Sequence, residues 1–215
     1  MIVGGIDEAG RGPIIGSLVV CLFMMDDSKA KELSLIGVRD SKKLSPSRRE
    51  KLFDELADIG TYQVHVSTAS EIDAREVSLN DFEIGIMAGL MEQNPSCRRV
   101  FIDSIQADGA AFTRKLKEKM ECSPELVPEI IAIPGGDIHF PTCSAASIIA
   151  KVTRDRSILE LHKDFGDFGS GYPADPKTRA WLQEKYAAES RFPPIVRHTW
   201  RTAIRFTETR AGDNA

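Results

Sequence analysis

The sequence lacks any uninterrupted apolar stretch of the roughly 18 residues that a membrane-spanning helix needs. Its longest apolar run, from Leu18 to Met25, has the length of a buried strand. The basic start, apolar core and small-residue cleavage site of a signal peptide are also missing from the first residues. We therefore expect a cytoplasmic protein that does not enter a membrane.

Cysteine is scarce, with four residues in 215, and no two of them have the close spacing of zinc ligands. We expect free, buried thiols and neither a zinc site nor a disulfide framework.

An excess of positive charge is also missing, because the net charge is −4. A domain that binds nucleic acid by charge alone would be strongly basic.

The positive charge that is present concentrates near the end of the chain. Residues 177–210 hold eight basic and three acidic side chains, a local charge of +5. This asymmetry predicts either a basic surface beside an acidic site or an ordinary solvated helix surface.

Apolar residues make up 42% of the chain and charged residues 28%, which is typical of one globular domain with a real core. Short apolar or alternating segments predict strands, and apolar residues three or four apart predict helices. Their order predicts an α/β fold, a mixed sheet with a helical C-terminal region. The predicted strands are 2–7, 18–25, 62–67, 100–103 and 129–133, and the predicted helices are 46–59, 79 to about 94, 110–120 and 144–165.

Three of the predicted strands lead into carboxylates. Asp7 ends the first and Glu8 comes directly after it, Asp103 ends the fourth, and Asp137 follows the glycine turn after the fifth. Neighbouring strands lie about 4.8 Å apart, so Asp7 and Asp103 can reach one metal ion if their strands adjoin in parallel. Carboxylate oxygens favour Mg²⁺ or Mn²⁺ over zinc, and pairs of such ions commonly cut phosphodiesters.

Each of these acids can also have a purely structural role. A single aspartate after a strand is more often a turn former or a helix cap than a metal ligand. Glu8 is the least secure ligand, because adjacent strand residues point to opposite faces of a sheet. Asp155, on the apolar stripe of the last predicted helix, is an alternative fourth ligand, although pairing with Arg11 or Arg154 explains it equally well.

Five motifs stand along the chain at positions 5–13, 40–44, 102–103, 144–152 and 169–173: GIDEAGRGP, DSKKL, ID, SAASIIAKV and GSGYP. Together they resemble the motifs of the ribonuclease HII family, most closely its archaeal type, and they cover the chain from Gly5 to about Trp200. The resemblance implies a ribonuclease H-like fold, a five-stranded mixed sheet flanked by helices. Residues 1–165 would form the catalytic domain, and residues 166–215 a helical C-terminal region packed on it.

The resemblance also implies a site for Mg²⁺ or Mn²⁺. Asp155 then has a supporting role. The family usually carries a lysine two residues before its last acid, where this chain has Gly135, so a phosphate contact made by that lysine is not expected here. The four acids implied to hold the catalytic metals are Asp7, Glu8, Asp103 and Asp137.

Substrate contacts are implied at two further motifs. The loop at residues 10–12 would recognise the ribose 2′-hydroxyl where RNA passes into DNA, since glycines let the backbone approach that small group. Tyr172 would pack against the sugar at this junction. A second loop could donate charge-assisted hydrogen bonds to phosphate oxygens. The residues of the two loops are Gly10, Arg11 and Gly12, and Ser41, Lys42 and Lys43.

The implied activity is that of an endoribonuclease using two metal ions. It would hydrolyse the RNA strand of RNA/DNA hybrids and cut 5′ of ribonucleotides embedded in duplex DNA, leaving a 3′-hydroxyl and a 5′-phosphate. Two alternatives stay open, a sugar-kinase or actin-like phosphotransferase and a non-catalytic hybrid-binding protein. We expect a monomer, and we predict no sliding-clamp partner because the segment from Arg205 to Ala215 lacks a glutamine-led pair of aromatic residues.

Overall fold

The structure contains a five-stranded sheet. The computed structural model describes residues 1–38 and 44–213, with side chains to residue 207. Ser41, Lys42 and Lys43, the predicted phosphate contacts, therefore lie outside the described residues. The strands are β1 (Ile2–Ala9), β2 (Leu18–Asp26), β3 (Thr61–Ser67), β4 (Cys97–Asp103) and β5 (Glu129–Ile133).

The strand order is β3-β2-β1-β4-β5, so β1 lies in the middle. It pairs antiparallel with β2 and parallel with β4, and β4 pairs parallel with β5. The predicted five-stranded mixed sheet is confirmed. The carboxyl ends of β1, β4 and β5 meet at one edge, which is where parallel sheets collect functional side chains.

Helices connect and follow these strands. The predicted bounds of the first long helix are confirmed, because Ser45 caps its start by accepting from the Arg48 amide and Gly60 follows its end. Three short helices, α1, α3 and α6, were not predicted. The helices are α1 (Ala30–Leu35), α2 (Pro46–Ile59), α3 (Ala69–Asp73), α4 (Leu79–Glu92), α5 (Gly109–Lys119), α6 (Gly136–His139), α7 (Pro141–Phe165), α8 (Pro176–Glu189) and α9 (Arg201–Asp213).

The apolar residues whose spacing predicts helix α4 are mostly not its buried face, since only Leu90 among them is buried. The apolar spacing that includes Phe82 and Ile86 indicates the helix, yet both side chains are only half-buried. The buried face carries Ile84, Met87 and Met91. The helix has two apolar faces, and only packing against other elements decides which is buried.

The chain divides into two compact units, each with its own core. The first unit comprises Met1–Ala9, Val19–His65 and Val77–Thr153, and the second comprises Gly10–Leu18, Val66–Glu76 and Arg154–Ala215. Phe23, Leu52 and Ile148 belong to the core of the first unit, and Phe168 and Val196 to that of the second. The predicted division after residue 165 stays a prediction.

The burial of individual side chains changes two expectations, one about the basic surface near the end of the chain and one about the cysteines. Arg197, counted among the basic residues near the end of the chain, is fully buried and adds nothing to a basic surface. Three of the four cysteines are buried free thiols, as predicted, whereas Cys122 is only half-buried. Among the described residues, no helix combines the length and the apolar character needed to cross a membrane.

Candidate metal centre

Two parallel strands bring Asp7 and Asp103 side by side. The register pairs Ile6 of β1 with Ile102 of β4, and the two aspartates are the next residues of their strands. Asp7 is buried and Asp103 is half-buried. The expectation that these strands adjoin is therefore confirmed.

Asp137 reaches the same edge through a glycine turn. Gly135 has a φ of +74°, which L side chains rarely adopt, and it leads into the short helix α6 that carries Asp137. The amides of Gly135 and Gly136 donate to one Asp103 carboxylate oxygen at 2.7 and 3.0 Å. A Cβ on Gly136 would lie 2.8 Å from the Ile102 carbonyl oxygen, so this close approach requires glycine.

The three aspartates form one group. Each of Asp7, Asp103 and Asp137 offers a carboxylate oxygen, and these oxygens all lie within 4.8 Å of one another. Asp7 and Asp137 are buried, with 5% and 1% of their surfaces exposed. Three carboxylates this close repel one another strongly unless a proton or a cation neutralises them.

The pKa of Asp7 is raised mainly because its carboxyl group is buried. Burial raises it well above the ordinary value of 3.8, and the neighbouring charges of Glu8 and Asp103 raise it further. A hydrogen bond from the Ser147 side chain and one from the Glu8 amide, at 2.7 Å, act in the opposite direction by stabilising the carboxylate. Ser147 lies on α7 and therefore orients Asp7 from outside the sheet.

Glu8 is not a member of the group of three carboxylates. It follows Asp7 directly in β1, where successive side chains leave opposite faces of the sheet. Its charge nevertheless contributes to the raised pKa of Asp7, so it lies close to the group. Its assignment as a metal ligand stays a prediction.

The start of α7 packs directly on β1. A Cβ on Gly5 would lie 2.1 Å from the carbonyl carbon of Thr142 and 2.3 Å from the amide nitrogen of Cys143. The absence of a side chain at Gly5 therefore lets the helix approach the strand that carries Asp7. The Cys143 thiol is buried, and burial together with the charge of Asp7 raises its pKa well above the usual value, so it is held as the neutral thiol.

The donor set fits a hard divalent cation. It consists of carboxylate oxygens, which Mg²⁺ and Mn²⁺ prefer, and no described histidine belongs to the group. A bound cation would offset both the burial of the Asp7 carboxylate and the repulsion from Glu8 and Asp103, which together raise its pKa. Asp7, Asp103 and Asp137 are the residues that would hold it.

The predicted ribose-reading loop and Tyr172 both belong to the second unit. A Cβ on Gly12 would lie 3.5 Å from the Tyr172 ring, so the loop backbone and the ring are neighbours. Tyr172 is 38% exposed, and the Arg154 guanidinium lies 5.2 Å from its ring centroid. The structure thus brings two of the predicted substrate-contacting elements together.

Asp155 is half-buried and lies 3.6 Å from Arg154. One of the two pairings proposed for it is therefore present.

The sequence patterns assign no function to Ser147, Arg154 or Arg197. Two of them could have been noticed in the sequence. Ser147 lies inside the motif at positions 144–152, and Arg154 lies four residues before the buried Ile158, on the same face of the helix, where a charged residue is unexpected.

Comparison with known proteins identifies the family. A family model described as ribonuclease HII matches residues 4–203. Ribonuclease HII of Pyrococcus abyssi is 41% identical over 210 residues, covering 97% of this chain and 92% of the relative.

Solved structures agree with this match. The crystal structure of ribonuclease H2 from Pyrococcus horikoshii has a TM-score of 0.90 at 43% identity, and the match covers 97% of this chain and 98% of that one. Ribonuclease HII of Archaeoglobus fulgidus, solved in a complex with PCNA, has a TM-score of 0.84 at 35% identity and covers 94% of this chain and 96% of that one. The predicted ribonuclease H-like fold is confirmed, and this chain belongs to the ribonuclease HII family, whose members are hydrolytic endonucleases.

Proposed function

We propose that this protein hydrolyses the RNA strand of RNA/DNA hybrids and cuts 5′ of single ribonucleotides embedded in duplex DNA. The products would carry a 3′-hydroxyl and a 5′-phosphate. The observation that carries the proposal is the group of three carboxylates within 4.8 Å of one another at the end of the central strands. Family membership favours this activity over a phosphotransferase and over a non-catalytic binding protein.

The carboxylates would supply the catalytic centre. Asp7 and Asp103 would be the core ligands, and Asp137 and Glu8 would complete the site. Two Mg²⁺ or Mn²⁺ ions held there would supply an activated water and charge stabilisation for the departing 3′ oxygen. Ser147 would keep Asp7 oriented, and the Gly135 and Gly136 amides would do the same for Asp103.

The second unit would supply recognition of the ribonucleotide. The backbone at residues 10–12 would hydrogen-bond the 2′-hydroxyl, and Tyr172 would pack against the sugar at the RNA-to-DNA junction. Lys42 and Lys43 would contact phosphate. A monomeric state, a cytoplasmic location and the lack of a sliding-clamp partner stay predictions for this chain.

The test compares two duplexes that differ by one 2′-hydroxyl, each with and without Mg²⁺ or Mn²⁺. We expect wild-type protein to cut only the ribonucleotide-containing duplex, and only with metal. Asp7→Asn should bind this duplex yet cut it at least about a hundredfold more slowly, as for loss of a key electrostatic stabiliser.

The matched control is Asp54→Asn, which removes an exposed carboxylate from α2. It should cut at the wild-type rate. Cleavage by Asp7→Asn at a near-wild-type rate would contradict the assignment of the metal centre. Equal cleavage of both duplexes by the wild type would contradict the proposed substrate.

A further inference from the structure

A fully buried arginine holds the loop that follows β1. Arg197 has no exposed surface, and its guanidinium donates to three backbone carbonyls of that loop. The acceptors are the oxygens of Gly10 at 2.6 Å, Arg11 at 3.1 Å and Gly16 at 3.0 Å. All four residues belong to the second unit.

The backbone around Arg197 places this guanidinium. The Arg197 amide donates to the Ile14 carbonyl at 2.8 Å, and the Gly16 amide donates to the Ile195 carbonyl at 2.9 Å. An isolated bridge between Ile15 and Val196 lies between these two hydrogen bonds. The backbone next to Arg197 is thus hydrogen-bonded to residues 14–16, at the end of the same loop that the Arg197 side chain holds.

The other side of the guanidinium is packed against Trp200. The Arg197 guanidinium lies 4.8 Å from the Trp200 ring centroid, and the Arg75 guanidinium lies 5.4 Å from the same ring. Asp73 accepts from the Thr199 amide at 3.1 Å and so fixes the residue before Trp200. Arg197 therefore has little freedom to take another rotamer.

The direction of the three hydrogen bonds determines where the loop amides point. In a planar trans peptide, the carbonyl of one residue and the amide of the next lie on opposite sides. Because the carbonyls of Gly10 and Arg11 point towards Arg197, the amides of Arg11 and Gly12 point away from it. A positive donor on each carbonyl also polarises the peptide group and strengthens its N–H as a donor.

The loop conformation depends on glycine as well. Gly10 has a φ of +87°, and a Cβ there would lie 2.3 Å from the Ser17 carbonyl oxygen. Gly12 is exposed and has room for an ordinary contact with Tyr172. The carbonyls of Gly10 and Arg11 are thus fixed on the buried side, whereas Gly12, the last residue of the segment, is exposed.

We propose that Arg197 is a positioning residue for recognition of the ribonucleotide. It sets the two peptide planes so that the amides of Arg11 and Gly12 are presented together to the ribose 2′-hydroxyl. This inference rests on the proposed function. Lysine cannot replace it, because an ammonium group has no planar fork with which to hold several fixed carbonyls at once.

The test is Arg197→Lys, measured on the two duplexes that differ by one 2′-hydroxyl. We expect the KM for the ribonucleotide-containing duplex to rise at least about tenfold, as for loss of a charge-assisted hydrogen bond, while kcat at saturation changes much less. The binding preference for the ribonucleotide over the all-DNA duplex should fall by a similar factor.

Arg75→Lys is the matched control. Arg75 packs on the same tryptophan and donates to the Ile72 carbonyl and the Thr199 hydroxyl, which lie outside the loop. It should lower the melting temperature but leave the preference for the ribonucleotide unchanged. A folded Arg197→Lys protein with wild-type KM and preference would overturn the inference.

A second variant decides the matter if Arg197→Lys does not fold. Gly12→Pro removes one of the two amide hydrogens and leaves Arg197 in place. Loss of the 2′-hydroxyl preference in this variant supports the Gly12 amide as one of the two donors that Arg197 is inferred to present, and an unchanged preference overturns the inference. Wild-type protein without any preference would instead refute the proposed function, and the inference with it.

Discussion

Replacing Asp7 by asparagine should stabilise the protein when no divalent metal is present. The carboxylate oxygens of Asp7, Asp103 and Asp137 lie within 4.8 Å of one another. Two unit charges at that distance repel by about 3.5 kcal/mol at an effective dielectric constant of about 20. Proton uptake limits this repulsion, so we expect Asp7→Asn to raise the free energy of unfolding by about 1 to 3 kcal/mol at about pH 8.

The effect should depend on pH with a definite sign. The pKa of Asp7 is raised above its ordinary value of 3.8, so the folded protein binds this proton more tightly than the unfolded chain. The wild-type free energy of unfolding therefore falls as the pH rises above that ordinary value, and Asp7→Asn lacks this fall. The difference between the two proteins should be small near pH 4 and grow towards alkaline pH, up to the raised pKa.

Thermal unfolding in EDTA at several pH values measures this difference, at roughly 2 to 4 °C per kcal/mol for a chain of this size. Added Mg²⁺ or Mn²⁺ should reverse the order, because binding to the folded state stabilises the wild type more than the variant. Asp54→Asn, an exposed substitution, should change stability by less than about 0.5 kcal/mol. An Asp7→Asn protein no more stable than the wild type in EDTA at alkaline pH would refute the repulsion between these carboxylates.

Three further predictions concern packing, exposure and stacking. Gly136→Ala should destabilise the fold by about 1 to 3 kcal/mol and slow cleavage, because the added Cβ meets the β4 backbone. Gly85→Ala, which adds a Cβ in open space on α4, should stabilise the fold slightly. Melting temperatures and cleavage rates of the two variants test both expectations. A thiol reagent should modify Cys122 in the folded protein and the three buried cysteines only after unfolding, and early labelling of all four would contradict the burial. Tyr172→Ala should raise the KM for a single-ribonucleotide duplex about tenfold and Tyr172→Phe should not, and steady-state kinetics separates them.

The candidate site was predictable where chemistry and strand geometry coincide. Asp7 and Asp103 lie near the carboxyl ends of two apolar strands, and parallel strands bring such residues together. Asp137 was harder to place, because it depends on a left-handed Gly135 and on the close approach of Gly136 to β4. The role of Glu8 could not be decided from strand alternation alone, and the structure leaves it outside the group of three.

The sequence by itself determined the order of strands and helices along the chain and the acidic residues at the strand ends. Both depend on hydrophobic periodicity and turn residues, which act over short distances along the chain. Only the tertiary structure decided which face of α4 is buried and that Arg197 is internal. Arg197 holds the carbonyl of Gly10, which is 187 positions away in the chain. A local pattern cannot indicate such a contact, since a charged residue near the end of a chain looks the same whether it faces water or three backbone carbonyls.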